Sequence, residues 1–203
     1  GEVLLHSEAR VHQLLLDALA TRVQLVGHQC IGQRHLDLVE QHLEHRVARR
    51  LVDSNLVGHD SHGVLRVAKY LDWVRDGTLK PNTPPQVAFE SDTIAIVDGQ
   101  RGFGQVTGET ATRMGIAKAK AKGIAMIGLR NCGHLGRLGD WAEMAAEAGQ
   151  VSLHFLNTSG AQRVAPFGGS DRRLSTNPMA IGVPVAGGPP AILDITTSTV
   201  AEG

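Results

Sequence analysis

Asn131-Cys132-Gly133-His134-Leu135-Gly136 decides how this chain is read. It stands between an apolar run, Ile124 to Leu129, that reads as a buried-type strand, and a helical segment ending near Gly149. A histidine among glycines at a strand-to-helix junction lies where backbone can come close to a ligand. Three other polar clusters are placed to converge on it: His59-Asp60-Ser61-His62-Gly63, Ser175-Thr176-Asn177-Pro178 and Asp194-Ile195-Thr196-Thr197-Ser198.

Immediately upstream, Gln86 to Phe89 and Thr93 to Val97 predict two strands joined at Glu90-Ser91-Asp92. Asp98-Gly99-Gln100-Arg101-Gly102-Phe103-Gly104-Gln105 then leads into a helix reaching about Lys122. Strand, glycine loop and helix invite a Rossmann assignment, but the spacing fails. Gly102-x-Gly104 is followed by Gly108, one residue late, and the next strand ends in Arg130 rather than an acidic residue. A tight glycine turn is the better reading.

Asp60 or Ser61 is expected to cap a helix whose apolar face is Val64, Val67, Leu71 and Val74, stopped by Gly77 and Pro81. At that helix start Ser61 and His62 are placed to hydrogen-bond each other. Arg66, one turn on, suits a two-pronged contact with a carboxylate. The competing readings are a plain capping cluster, or His59 and His62 as metal ligands, for which no third ligand lies at a telling spacing. Residues 1 to 58 read as helical, with repeats at Val11, Leu14, Leu15, Ala18 and Leu19 and at Leu36, Val39, Leu43, Val47 and Leu51. The six histidines of that stretch lack a carboxylate or cysteine to complete a metal set.

Downstream, a helix carries Trp141, Ala142, Ala145 and Ala146, and the strand Val151 to Leu156 delivers Asn157-Thr158-Ser159 at its end. Strand ends in open α/β sheets are where ligands bind, so His134 and Thr158 are expected neighbours. Asn177 is expected to be extended by the proline after it. Met179 to Val185 and Ala191 to Leu193 predict two further strands, the second ending in Asp194, where a carboxylate and hydroxyls suit a ribose or an amide.

Composition narrows the class. The 203 residues allow a sizeable core, and 42% apolar with 20% charged residues is ordinary for a globular protein. Zero formal net charge and 3% aromatics argue against a nucleic-acid partner. No apolar run reaches the roughly 20 residues that span a bilayer, and no signal-peptide pattern opens the chain, so a cytoplasmic protein without a membrane partner is expected. Cys30 and Cys132 form neither a disulfide framework nor a zinc pattern. The absence of an initial methionine and the end just after a polar motif read as a fragment.

Six ordered motifs together resemble the malate/L-lactate dehydrogenase family of NAD(P)-dependent oxidoreductases. They are Asp60-Ser61-His62-Gly63 with Arg66; Asp98-Gly99 with Gly102-Phe103-Gly104-Gln105; Asn131-x-x-His134-x-Gly136; Ala165-Pro166-Phe167-Gly168-Gly169; Thr176-Asn177-Pro178; and Asp194-x-x-Thr197-Ser198. The likeness runs from about residue 50 to the end. It implies an α/β fold with a layered mixed sheet and flanking helices, a non-Rossmann NAD(P)-binding fold, preceded by a helical segment and truncated at its C-terminus. The expected division is residues 1–80, helical and carrying the start of the active site, and 81–203, the α/β cofactor- and substrate-binding domain.

The resemblance further implies Ser61, His62 and His134 as catalytic residues, with Ser61 and His62 belonging to a Ser-His-Asp relay. Arg66, Thr176 and Asn177 are the implied substrate contacts. The implied NAD or NADP contacts are His134, Leu135, Gly136, Arg137 and Leu138, with Thr158, Asp194, Ile195 and Thr196. Which histidine faces the substrate, His62 or His134, stays open. The implied partners are a small 2-hydroxy or 2-oxo acid and a second copy of the chain as a homodimer; no metal is expected. The alternatives are an inactive fragment of such an enzyme, a reductase of a cyclic imine carboxylate, and a metal-dependent hydrolase using His59, His62 and His134, which lacks carboxylate ligands.

Overall fold

The computed structural model describes residues 38–158 and 162–198, so the helical repeats expected before residue 38 lie outside the described residues. The chain forms two compact units. One takes the chain up to Ala111 together with Met126–Arg137; the other takes Thr112–Ala125 and everything from Leu138 onward.

In the first unit, helix α1 (Leu38–Leu56) buries Val47, Ala48, Leu51 and Val52; Val47 and Leu51 are on the stripe that the leucine and valine spacing predicts, Leu43 is half-buried, and Ala48 and Val52 widen the buried face. A short 3-10 turn (Asp60–His62) precedes helix α2 (Arg66–Arg75). Strands β1 (Gln86–Glu90) and β2 (Ile94–Asp98) are antiparallel, with an irregularity in register between Val87 and Phe89. Strand β3 (Met126–Arg130) runs parallel to β2, with Ile94 opposite Met126 and Asp98 opposite Arg130. A parallel pair needs a long crossover, and helix α3 (Gly104–Lys122) supplies it.

The core of this unit joins Val47, Leu51, Val67, Tyr70, Val74, Leu79, Phe103 and Val106. Each large apolar side chain so buried contributes about 1.5–3 kcal/mol relative to exposure. This core fixes α1, α2 and the start of α3 to one another.

Two local expectations are corrected here. Neither Asp60 nor Ser61 caps α2; the residue before it is Leu65, and no side chain bonds that end. The cause is Asn55 at the end of α1, whose amide donates to Asp60 and whose Oδ1 accepts the Val64 N–H (2.9 Å). That amide draws the segment into a 3-10 turn instead. The buried face of α2 is accordingly Val67, Tyr70 and Val74, while Val64 stays 39% exposed and Leu71 half-buried. The second correction concerns β3, which alternates exposed and half-buried positions rather than being enclosed. Among the described residues it pairs with β2 alone.

In the second unit, helix α4 (Gly139–Glu147) packs on an antiparallel sheet ordered β4 (Ser152–Phe155), β5 (Met179–Val183), β6 (Ala191–Ile195). Trp141, Ala142, Ala145 and Ala146 are buried. Gly182 lets β5 lie directly under α4, because a Cβ there would strike the Ala142 carbonyl. Gln150 Nε2 donates to the Ile116 carbonyl (2.9 Å), tying the later part of α3 to the end of α4. The α/β class is as expected, with the strands divided between a mixed sheet and an antiparallel one. No helix among the described residues is long and apolar enough to cross a membrane.

Candidate active site

The first unit builds a rigid seat for His134. Asp98, at the end of β2, accepts from Arg130 Nε (2.8 Å), Asn131 Nδ2 (3.0 Å) and the Gln100 N–H (2.9 Å). These bonds, the Gln100 N–H foremost, hold its carboxyl below the usual carboxylate range. Backbone bonds continue the seam: Gly99 N–H to Arg130 O (2.9 Å), Arg101 N–H to Asn131 O (2.6 Å) and Gly133 N–H to Gly102 O (2.9 Å).

In the glycine loop the N–H groups of Gly99, Arg101 and Gly102 go to protein carbonyls and that of Gln100 to the Asp98 carboxylate. Gly104 has a definite task, since a Cβ there would collide with the carbonyls of Gly133 and His134. Its absence lets the histidine loop rest on the first turn of α3.

On that seat His134 Nδ1 lies 2.8 Å from the Tyr70 hydroxyl and 3.3 Å from the Gly136 N–H. Gln105 Nε2 donates to the same hydroxyl (2.7 Å). His62 stacks on His134 with ring centroids 5.1 Å apart and planes 27° apart. Ser61 Oγ is 2.9 Å from His62 Nδ1, the pairing that the sequence predicts, and Arg66 Nε donates to the Ser61 carbonyl. Ser61, His62, Arg66 and His134 are thus brought together in one unit.

Burial dominates the electrostatics of this cluster. It pushes the His134 pKa down to about 3, with His62 and Arg66 adding to the effect. His62 falls to about 4 through burial, then His59, then Arg66. Both imidazoles are neutral at pH 7. Burial raises the Tyr70 phenol to about 12, so it keeps its proton. No group of three or more metal-ligating side chains occurs among the described residues.

The second unit gathers the other predicted positions at one end of its sheet. Met179 pairs with Ile195 and Ala180 with Asp194, while the Leu156 N–H donates to Pro178 O (3.1 Å). Thr158, Thr176, Asn177, Asp194, Ile195 and Thr196 therefore share the end where β4 and β6 finish and β5 begins. The Thr197 N–H and hydroxyl both donate to Thr176 O (3.1 and 3.0 Å), joining the two loops. Thr196 Oγ1 is 2.6 Å from Ser198 Oγ.

Asp194 Oδ2 accepts the Gly139 N–H (2.7 Å) at the start of α4, a helix-capping role for at least one carboxylate oxygen. Asn177 is not extended as expected: its φ of 43° lies in the left-handed range, which asparagine enters more readily than most side chains. Its Oδ1 is buried without a hydrogen-bond partner. Leu135, Gly136 and Arg137 are buried in the first unit, and buried Leu138 opens the second, next to α4.

Tyr70 and Gln105 are the two site residues that sequence reasoning missed. Tyr70 is the single tyrosine of the chain and stands one helical turn beyond Arg66, a signal present but unread. Gln105 lay inside a quoted motif with no chemistry assigned to it.

The sequence pattern of the malate/L-lactate dehydrogenase family matches residues 37–203. Hydroxycarboxylate dehydrogenase B of Escherichia coli O157:H7 is 42% identical over 157 residues, which is 77% of this chain and 44% of that protein. The solved malate dehydrogenase of Pyrococcus horikoshii OT3 superposes with a TM-score of 0.81 at 33% identity, over 94% of this chain and 51% of that one. The sulfolactate dehydrogenase of Methanocaldococcus jannaschii gives a TM-score of 0.83 at 28% identity, over 94% and 51%. The chain spans about half the length of the relatives that it matches. With the family pattern covering most of its residues, this chain belongs to the malate/L-lactate dehydrogenase family.

Proposed function

We propose that the protein carrying this chain interconverts a small 2-hydroxy acid and its 2-oxo acid, using NAD or NADP. The observation that carries the reading is the half-buried pair of stacked, neutral imidazoles, His62 and His134, with the Arg66 guanidinium beside them. A bound nicotinamide cofactor would supply the hydride chemistry at the substrate's C2. The residues of this chain do the rest. Arg66 offers a cationic anchor to the substrate carboxylate; as hydride leaves C2 of the hydroxy acid, one neutral imidazole accepts the hydroxyl proton while the other hydrogen-bonds the substrate oxygen, and the reverse direction returns that proton from the imidazolium. Ser61, bonded to His62, orients that ring.

The end of the β4–β6 sheet fits the cofactor in chemistry. Hydroxyls at Thr158 and Thr196 and the Asp194 carboxylate suit ribose hydroxyls and a carboxamide, while the buried Asn177 Oδ1, without a hydrogen-bond partner, is available to the substrate. Thr176 and Asn177 are assigned to the substrate, with His134 to Leu138, Thr158 and Asp194 to Thr196 assigned to the cofactor. The reading includes a cytoplasmic homodimer, with the chain divided into residues 1–80 and 81–203. An ordinary composition without a disulfide framework fits the compartment.

The test is oxidation of NADH and NADPH by the full protein carrying this sequence, against a panel of 2-oxo acids and one cyclic imine acid. Turnover with an oxo acid is expected. Turnover with the imine alone would reassign the substrate, and no turnover with any of them would refute the reading.

A further inference from the structure

We propose that Gln105 and Tyr70 are positioning residues that lock His134 in the tautomer carrying its proton on Nε2. The polarity of the chain of hydrogen bonds follows from one donor whose identity is not in question. A backbone N–H can only donate, and that of Gly136 points at His134 Nδ1 (3.3 Å). Nδ1 must therefore present a lone pair, and in a neutral imidazole the proton then resides on Nε2. Tyr70, 2.8 Å from the same Nδ1, has to donate its single hydroxyl proton there. With that proton committed, the phenol oxygen is left as an acceptor, and the group facing it is the Gln105 amide nitrogen at 2.7 Å. Each bond fixes the sense of the next.

Two further observations support an assigned role for Gln105. The side chain is 1% exposed, yet its Oε1 has no hydrogen-bond partner. Burying half an amide unsatisfied is unfavourable and is rare in folded proteins outside sites that use it. Leucine would fill a similar volume without that penalty; only the Nε2 donation to Tyr70 distinguishes glutamine. Tyr70 itself is 2% exposed, and burial keeps the phenol protonated and able to donate.

The consequence concerns the reading of the site proposed above, on which it rests. A neutral His134 with hydrogen on Nε2 offers a donor to an oxygen, and so is arranged to polarise the carbonyl of a 2-oxo acid. Of the two stacked rings, His134 is the fixed donor.

The test is nitrogen-15 NMR of His134 in this chain at neutral pH, assigned by the loss of its signals in His134→Gln. The expected spectrum shows an unprotonated Nδ1 and a protonated Nε2. A proton on Nδ1 would overturn the proposal outright, without any variant.

Gln105→Glu is the sharper variant, being nearly isosteric but able only to accept in its ionised form. It should draw the Tyr70 proton to itself, leaving Gly136 as the one remaining donor to Nδ1, so that the Nδ1 resonance shifts and part of the population carries its proton on Nδ1. An unchanged His134 spectrum in a folded Gln105→Glu protein would remove Gln105 from the role. In the full protein the same variant should lower kcat about 10- to 1000-fold with KM for the acid little changed, as for loss of one oriented donor. An Nε2–H tautomer in a protein that turns over no oxo acid would defeat the functional reading while leaving the tautomer assignment standing.

Discussion

The two units treat their polar residues in opposite ways. Around His134 the side chains are mutually bonded and fixed to a core: buried Tyr70 and Gln105 and half-buried His62 surround one ring, and buried Asp98 pins the loop that carries it. At the end of the β4–β6 sheet, Thr158 and Thr197 are exposed, and the bonds run within one loop, as between Thr196 and Ser198, or to the neighbouring loop, as from Thr197 to Thr176. The contrast teaches where preorganisation has been built. Groups that handle a proton need a set tautomer and a low-dielectric seat, which only a packed core supplies. On the proposed reading the second set recognises hydroxyls and amides, which needs little more than a shared edge and available lone pairs.

His134→Ala is the most severe way to break that contrast. It should lower kcat by about 10²- to 10⁴-fold while circular dichroism and the melting temperature stay close to the parent, because the loop is held by Asp98 and backbone bonds. Retained turnover would take His134 out of the chemistry. Arg66→Ala should act on binding, raising KM for the acid about 10- to 100-fold, the worth of about 1.5–3 kcal/mol for a charged hydrogen bond. An unchanged KM would return Arg66 to a structural role at the Ser61 carbonyl.

The histidine pair also predicts how stability varies with pH. Their folded pKa values, about 4 for His62 and about 3 for His134, lie below the ordinary 6.5, so the unfolded chain binds protons that the folded one refuses. Their contribution is fully present above about pH 6.5. It is lost as pH falls from there toward about 4 and 3, where the folded rings protonate as well. Thermal melts should show the midpoint falling over that window, and the fall should flatten in a His62→Gln, His134→Gln protein. An equal slope in that variant would show that the rings are not buried neutral.

The gentlest comparison uses two glycines, one in each unit. Gly104→Ala and Gly182→Ala each force a Cβ into a backbone carbonyl, at a cost of about 1–3 kcal/mol of stability by overpacking. Only Gly104→Ala should also displace the His134 loop. Activity per folded molecule should therefore drop in that variant and hold in Gly182→Ala; equal losses in both would dissolve the distinction between the units.

Much of the site could be read before the fold was known, for reasons of distance along the chain. Ser61, His62 and Arg66 fall within six residues, so one turn of structure brings them together whatever the tertiary arrangement. His134 announces itself by its glycines. Tyr70 and Gln105 meet His134 only through contacts spanning 64 and 35 residues, which no local pattern encodes. The same limit explains the errors. Asn55 redirects the Asp60–His62 segment from a place outside the motif, and the burial of β3 depends on neighbours that its own apolar run does not reveal. The glycine loop is the converse case, since its spacing and the missing acidic residue after the next strand favour a tight turn over a Rossmann phosphate site, and its backbone bonds run to protein carbonyls.

The most direct measurement follows the hydride itself. The full protein carrying this sequence is incubated with nicotinamide cofactor bearing deuterium at C4 and a 2-oxo acid that it turns over, and the product is examined by mass spectrometry and proton NMR. One deuterium is expected at C2 of a single enantiomer of the 2-hydroxy acid, with the hydroxyl proton drawn from solvent. Product without the label, or cofactor oxidised with no hydroxy acid formed, would contradict hydride transfer at this site.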